Sequence, residues 1–181
     1  MKALFLDRDG VINIDTGYVV KIKDFYFIEE IFSICKFFTA KGFKIFVVTN
    51  QAGIARGYYT EKQFHQLTQW MLEKFLEKNI NIEKVYYCPY HEKGQVAQYK
   101  KKSEFRKPAP GMLLNAQKEF GVDFERSVLI GDKSSDIQAG QAAGVKNTFL
   151  ISSKTDNSLT EYSFSCHRKL LSFLEKETLI F

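Results

Sequence analysis

The 181-residue sequence has few cysteines, few prolines and no long hydrophobic run. Its three cysteines, Cys35, Cys88 and Cys166, are odd in number and far apart, which argues against a disulfide framework. The apolar run after Met1 is too short before Asp7 for a signal-peptide core, and no stretch is long enough to cross a bilayer. No basic helix or RNA-reading aromatic motif accompanies the net charge of +5. We therefore expect a cytoplasmic protein that binds neither nucleic acid nor a membrane.

The composition is that of a folded protein. Hydrophobic residues make up 45% and aromatic residues 15% of the chain, which excludes a disordered polypeptide. A chain of this length can bury a proper core within one domain. We expect a single domain over residues 1–181, and a monomer.

Apolar strand patterns alternate with helical patterns along the chain. The predicted strands are 3–6, 43–48, 85–88, 127–130, 147–151 and 162–166, and the predicted helices are 28–41, 61–78, 110–120, 134–143 and 168–176. A long irregular stretch, 89–108, and a polar turn, 152–157, interrupt the alternation. Such alternation predicts right-handed crossovers and a three-layer, Rossmann-like α/β fold with a central parallel sheet.

Polar groups follow the ends of several predicted strands. Asp7 and Asp9 come directly after the first strand, and taken alone they are equally consistent with a solvated acidic turn. Thr49 and Asn50 follow the second strand, and Asp132 follows the fourth. Ligands of open parallel sheets bind outside the carboxyl ends of the strands, where strand order reverses. We therefore expect these groups to converge on one crevice.

This set of groups suits phosphoryl transfer. Asp7 and Asp132 offer the hard oxygen ligands that Mg²⁺ prefers, and a carboxylate can also attack phosphorus. Lys107 and Thr49 supply charge and hydroxyl donors for the phosphoryl group. Asp9 is placed to protonate a leaving alkoxide and later to deprotonate water.

Four motifs together resemble the haloacid dehalogenase (HAD) superfamily of aspartate-dependent phosphohydrolases. They are DRDGV at 7–11, the strand ending at Thr49, Lys107 before a helix, and GDKSSD at 131–136. The resemblance implies a HAD fold with Asp7 as nucleophile and Asp9 as general acid and base. It also implies that Thr49 and Lys107 hold the phosphoryl group, and that Asp7, the Asp9 backbone carbonyl and Asp132 bind Mg²⁺. The short spacing from Asp7 to Thr49 leaves no room for a large inserted cap domain.

Three longer segments are similar to the D-glycero-D-manno-heptose 1,7-bisphosphate 7-phosphatases: VTNQAGIARGYYT at 48–60, DTGYV at 15–19 and RKPAPGML at 106–113. The similarity implies removal of the 7-phosphate from a small sugar bisphosphate, in ADP-heptose supply for lipopolysaccharide. The substrate contacts that it implies are Asp15, Thr16, Gly17, Tyr18, Asn50, Gln51, Arg106 and Lys133. A second phosphate calls for a second cationic site, which Arg106 beside Lys107 can provide.

The chain departs from this family in the long loop, where the family carries four zinc ligands. Here the corresponding stretches read Cys88-Pro89-Tyr90 and Ser103-Glu104-Phe105, which retain one ligand. Structural zinc sites need a full set of four ligands, so we expect no zinc. We expect aromatic packing of Tyr90 and Phe105 to take its place.

Other functions remain to be weighed against this one. A histidinol-phosphate phosphatase, or another small phosphomonoester hydrolase, is the nearest alternative, although the IARG segment at 54–57 favours a second anionic group. A response-regulator receiver uses similar groups, but its phosphorylated Asp ends the third strand, where this chain has Cys88. A binding relative without catalysis is disfavoured because every catalytic position is intact.

Overall fold

The structure is a computed structural model that describes residues 1–153 and 160–176. The described strands are β1 (Ala3–Leu6), β2 (Lys44–Asn50), β3 (Ile82–Cys88), β4 (Val128–Gly131), β5 (Asn147–Ile151) and β6 (Tyr162–Phe164). The described α-helices are α1 (Glu30–Ala40), α2 (Ala52–Ala55), α3 (Glu61–Glu77), α4 (Gly111–Phe120), α5 (Ser134–Ala143) and α6 (His167–Lys176). Short 3-10 turns lie at Ile22–Asp24, Ala97–Tyr99 and Phe124–Arg126.

The strands form one parallel sheet in the order β3-β2-β1-β4-β5-β6. Strand β1 is central, with Leu4 paired to Ile45 of β2 on one side and to Val128 of β4 on the other. The chain adds β2 and β3 in one direction from β1, and β4 to β6 in the other. The order therefore reverses between β1 and β4, which places the ligand crevice at the carboxyl end of β1.

Helices cover both faces of the sheet and divide the core into two layers. Leu4 and Leu6 of β1 face a core shared with α1, α3 and α6, whereas Ala3 and Phe5 face a core shared with α4 and α5. This division follows from the alternation of side chains along a strand. All four residues of β1 are fully buried, so the strand that leads to the crevice is held rigidly from both sides. The three-layer α/β prediction is confirmed.

Several element boundaries differ from those predicted. Strand β3 begins at Ile82 instead of residue 85, because polar residues on this edge strand still pair with β2, as Lys84 does with Phe46. Helix α1 begins at Glu30 instead of residue 28, and Pro110 is the N-cap of α4 rather than its first residue. Helix α2 was not predicted. The predicted polar turn at 152–157 lies largely outside the described residues.

The helices show two further features, a side-chain cap on α3 and limits on their length and apolar character. Thr60 and Gln63 form a capping box at the start of α3. Within 1–153 and 160–176, no helix combines the length and the apolar character that a membrane crossing requires.

Candidate active site

The turn after β1 presents Asp7 at the reversal of strand order. Asp7 is 6% exposed, and its backbone N–H donates to the Ile130 carbonyl at 3.0 Å. Gly10 then turns the chain back with φ of +93°, in the region that favours glycine. A Cβ on Gly10 would lie 2.3 Å from Oδ2 of Asp132, so a glycine is also needed for the close approach of that carboxylate.

Three carboxylates meet beside one buried lysine. Ligand oxygens of Asp7, Asp132 and Asp136 lie within 4.8 Å of one another. Lys107 Nζ lies 2.8 Å from Asp7 Oδ1 and 2.6 Å from Asp136 Oδ1, and it donates to the Val48 carbonyl at 2.7 Å. These groups come together from the carboxyl ends of β1, β2 and β4, from the start of α5 and from the loop before α4. Asp7 and Lys107 meet there although they are 100 residues apart in sequence.

The electrostatics of this cluster follow from burial and from crowding of like charges. Burial raises the pKa of Asp7, and the neighbouring Asp136 adds to the effect while Lys107 opposes it. Burial and the Asp7 charge raise the pKa of Asp132 to about 7. Burial would lower the pKa of Lys107, but contact with Asp136 and Asp7 raises it instead, so the lysine stays protonated. Lys107 and the half-exposed Lys133, whose Nζ lies 3.6 Å from Asp132 Oδ2, supply two positive charges to three carboxylates, so negative charge remains in excess.

This excess fits a divalent cation. Oδ1 of Asp132 is buried and has no hydrogen-bond partner among the described residues, although buried polar atoms are normally paired. Carboxylate oxygens crowded in this way suit Mg²⁺, which prefers hard oxygen ligands. The donor set of Asp7 and Asp132 is therefore chemically suited to the metal that the sequence predicts.

Asp9 is held by three side-chain hydrogen bonds. Its Oδ1 accepts from Arg8 Nη2 at 2.7 Å and from Asn13 Nδ2 at 3.1 Å, and its Oδ2 accepts from Gln51 Nε2 at 3.1 Å. Arg8 is only 2% exposed and also donates to the Val19 carbonyl at 2.8 Å. Arg8 thereby ties Asp9 to the loop that carries the predicted substrate contacts.

The segment after β2 supplies a second group of polar side chains. Gln51 Nε2 also donates to Thr49 Oγ1 at 2.8 Å, and Tyr59 OH donates to Gln51 Oε1 at 2.5 Å. Asn50 pairs with the backbone of Lys107 in both directions, since its Nδ2 donates to the carbonyl at 3.0 Å and its Oδ1 accepts from the N–H at 3.1 Å. Asn50, predicted as a substrate contact, therefore also holds the lysine in place.

The predicted substrate loop closes one side of a cleft of about 400 Å³. Asp15, Gly17 and Tyr18 line the cleft, whereas Thr16 is exposed and does not. Asp15 Oδ2 lies 3.0 Å from Lys133 Nζ. Burial alone would raise the pKa of Asp15, but the hydrogen bonds from Lys133 and from the Gly17 N–H outweigh it and lower the pKa.

Two arginines also line the cleft. Arg56 and Arg106 both border it, and within the described ranges neither has a carboxylate within 4.0 Å. Nε of Arg56 is buried and has no hydrogen-bond partner among the residues that the structure describes. Burial lowers the pKa of Arg106, and the charge of Arg56 lowers it further, so the two guanidinium groups are close enough to repel. A pair of unneutralised cations facing a cleft favours an anionic ligand.

Most of the predicted residues line one cleft, Asp132 joins the carboxylate cluster and Thr16 lies outside, but some members of the site were missed. Asp136 lies within the GDKSSD motif, yet its ion pair with Lys107 depends on the β4–α5 geometry. The IARG segment favours a second anionic group, but Arg56 within it was not named among the predicted substrate contacts. Tyr59 lies within the family-like segment at 48–60, but nothing in the sequence indicates that its hydroxyl group donates to Gln51.

The loop at 89–108 corrects one expectation. Tyr90 packs on the Tyr99 ring at 6.1 Å and lies under Lys101 Nζ at 4.1 Å, so it does take part in packing. Phe105 is 37% exposed and makes no ring contact with another aromatic side chain among the described residues, so the expected aromatic packing does not extend to it. Cys88 is buried, with its Sγ 3.9 Å from the Tyr90 carbonyl oxygen.

Comparisons with known proteins agree with this geometry. A HAD-hydrolase-like family model matches residues 104–169. A D-glycero-α-D-manno-heptose-1,7-bisphosphate 7-phosphatase of Burkholderia mallei is 52% identical over 83% of this chain and 79% of its own. A D-glycero-β-D-manno-heptose-1,7-bisphosphate 7-phosphatase of Pasteurella multocida is 46% identical over 88% of this chain and 85% of its own.

A solved structure shares the fold. The D,D-heptose 1,7-bisphosphate phosphatase of B. bronchiseptica, described as complexed with magnesium and phosphate, superposes with a TM-score of 0.78. It is 23% identical and covers 98% of this chain and 100% of its own. With relatives this similar over most of its length, the chain belongs to the D-glycero-D-manno-heptose-1,7-bisphosphate 7-phosphatase family of HAD phosphoric monoester hydrolases.

Proposed function

We propose that the protein removes the 7-phosphate of D-glycero-D-manno-heptose 1,7-bisphosphate, with Mg²⁺ and through an aspartyl-phosphate on Asp7. One observation carries the proposal. The cleft is bordered by an aspartate cluster with its buried lysine and by two arginines that have no carboxylate partner among the described residues. A substrate with two phosphates requires such a pair of sites.

Asp7 is the nucleophile in this proposal. One of its carboxylate oxygens attacks phosphorus, and the bond from phosphorus to the sugar oxygen breaks. Lys107 is a buried cation beside Asp7, and with the Thr49 hydroxyl it holds the phosphoryl oxygens as charge develops. Asp136 keeps Lys107 protonated and fixed, because its carboxylate lies 2.6 Å from the ammonium group.

Asp9 is the general acid and base. It gives a proton to the leaving alkoxide, and in the second half-reaction it takes a proton from the water that attacks the aspartyl-phosphate. Its three hydrogen bonds, from Arg8, Asn13 and Gln51, fix the direction of its carboxyl group at the edge of the cleft. Arg8 is therefore a positioning residue for proton transfer.

Asp7, Asp132 and the backbone carbonyl of Asp9 would hold Mg²⁺. The ion would neutralise the excess charge of the carboxylate cluster and the charge on the phosphoryl oxygens. Oδ1 of Asp132, which is buried and has no hydrogen-bond partner in the described part of the chain, supports this assignment.

The rest of the cleft would select the substrate. We assign the sugar and its second phosphate to Asp15, Gly17, Tyr18, Asn50, Gln51, Arg106 and Lys133, and we add Arg56; Thr16 is left out because it does not line the cleft. We further propose that the protein acts as a single-domain monomer in the cytoplasm, where it would contribute to ADP-heptose supply for lipopolysaccharide.

A substrate panel tests the proposed function. Mg²⁺-dependent phosphate release is measured with both anomers of the heptose bisphosphate, with the heptose 7-phosphate and with histidinol phosphate. We expect kcat/KM to be highest for a bisphosphate and release to vanish in Asp7→Asn, while circular dichroism shows that this variant is folded. A preference for histidinol phosphate, or activity that survives in Asp7→Asn, would contradict the proposal.

A further inference from the structure

A cluster of tyrosines around Glu61 lies outside the cleft and has no part in the mechanism above. Tyr99 OH donates to Glu61 Oε2 at 2.6 Å, and Tyr87 OH donates to Glu61 Oε1 at 2.8 Å. His65 Nε2 lies 3.2 Å from Tyr87 OH. The three elements joined here are the start of α3, the edge strand β3 and the long loop at 89–108. We call Glu61, Tyr87 and Tyr99 the tyrosine clamp.

Both tyrosines of the tyrosine clamp pack against hydrophobic side chains. Tyr87 and Tyr99 pack against a small core formed by Ile54, Tyr59 and Phe64. The rings of Tyr87 and Phe64 lie 4.5 Å apart. Hydrogen bonds from two hydroxyl groups to a single carboxylate are charge-assisted, and such bonds are stronger than those between neutral groups.

From Tyr99 the contacts continue through the loop to the cleft. The Tyr99 carbonyl accepts from the His91 N–H at 3.1 Å, and the Tyr99 ring packs on the Tyr90 ring. The Tyr90 carbonyl in turn accepts from Arg106 Nη1 at 3.5 Å. A short series of contacts therefore links Glu61 to the guanidinium group of Arg106.

The same loop also holds the turn that carries Arg56. The Ala55 carbonyl accepts from the N–H groups of Gln95 at 2.7 Å and Val96 at 3.0 Å. Gly94 makes the close approach possible, since a Cβ there would lie 2.9 Å from the Ala55 carbonyl oxygen. This loop therefore contains Arg106 and is bound to Ala55, the residue before Arg56, so it sets how the two arginines that line the cleft are placed relative to each other.

We propose that Glu61 is a positioning residue for the second anionic site. Through Tyr99 and the loop at 89–108 it holds Arg106, and with it Arg56, at the spacing that a second phosphate of the substrate requires. This inference rests on the proposed function, because it concerns selectivity for a bisphosphate. The clamp touches neither Asp7 nor Asp9, so it leaves the chemical step itself unchanged.

Two substitutions test the inference with two substrates. Glu61→Gln removes the charge of the clamp, and Tyr99→Phe removes a single hydroxyl group. We expect either change to raise KM for the heptose bisphosphate about three- to tenfold, as loss of one charge-assisted hydrogen bond permits. For p-nitrophenyl phosphate, a monoester without a second phosphate, kcat and KM should stay within about twofold of the wild-type values.

Matched controls lie elsewhere on the surface. Glu73→Gln changes a glutamate of the same helix that lies outside the clamp, and Tyr26→Phe changes a tyrosine that is 58% exposed; neither should alter the kinetics. Hydrogen exchange provides a second measurement, and we expect the His91 amide to exchange faster in Glu61→Gln and Tyr99→Phe than in the controls.

Equal losses for both substrates, or unchanged exchange at His91, would overturn the inference. A failure of the proposed function would look different. It would appear in the wild-type enzyme itself, as equal kcat/KM for the bisphosphate and for monophosphates.

Discussion

Gly10→Ala tests the geometry of the aspartate cluster directly. The Cβ of alanine would lie 2.3 Å from Oδ2 of Asp132. Because non-bonded carbon and oxygen atoms approach to about 3.3 Å, the carboxylate or the turn must retreat by about 1 Å. A misplacement of this size in a catalytic site costs about 100-fold in rate. We therefore expect kcat/KM to fall by about two orders of magnitude, and the Mg²⁺ concentration for half-maximal activity to rise.

The backbone contributes a separate effect that a control can remove. Gly10 has φ of +93°, and a non-glycine residue with such a backbone costs about 1–2 kcal/mol. Gly42, after α1, has φ of +81°, and a Cβ added there would meet no atom of residues 1–153 and 160–176 within 4 Å apart from its chain neighbours. Gly42→Ala should therefore lower the free energy of unfolding by a similar amount and leave catalysis unchanged.

The assays are urea denaturation and Mg²⁺ titration of phosphate release on both variants. The difference in activity between them isolates the contact of Gly10 with Asp132. If Gly10→Ala lost no more activity than Gly42→Ala, then Asp132 would not be held near the turn after β1, and the argument for one metal-binding cluster would fail.

The buried groups lead to three further expected outcomes. Lys107→Met removes the ammonium group between Asp7 and Asp136, so phosphatase activity should be lost. The free energy of unfolding, measured with urea, should fall by about 3–5 kcal/mol, because two buried carboxylates lose their partner. An unchanged free energy of unfolding would contradict the buried ion pairs. His167 Nε2 contacts the Val11 carbonyl at 2.9 Å, and burial lowers the pKa of His167 below its usual 6.5. Because the unfolded chain binds the proton at a higher pH than the folded chain, the free energy of unfolding should decrease as the pH falls below about 6.5. The decrease should be smaller in His167→Gln. Equal pH dependence of the wild-type protein and His167→Gln in urea titrations would refute this. Removal of divalent metal with EDTA should abolish phosphate release, and Mg²⁺ should restore it; full activity after chelation would exclude the assigned metal role.

Much of the fold could be predicted because its signals are local. The apolar runs at Leu4 and Ile130 end abruptly in polar residues, and in a parallel sheet such ends share one edge. The HAD motifs then indicated Asp7, Asp9, Thr49, Lys107 and Asp132. Strand β3 was predicted three residues short, because periodicity does not reveal how far a polar edge strand continues to pair.

The sequence by itself determines which chemical groups form the candidate site, because the motifs name them. It also determines the edge of the sheet at which they meet, because the groups follow the ends of strands that alternate with helices. The partners of these groups became known from the folded molecule: Asp136 on Lys107, Arg8 on Asp9, and Glu61 between two tyrosines. Most of these contacts join residues on different elements, and their geometry depends on how helices and loops pack over the sheet. Side-chain pairing of that kind leaves no periodic trace along a chain.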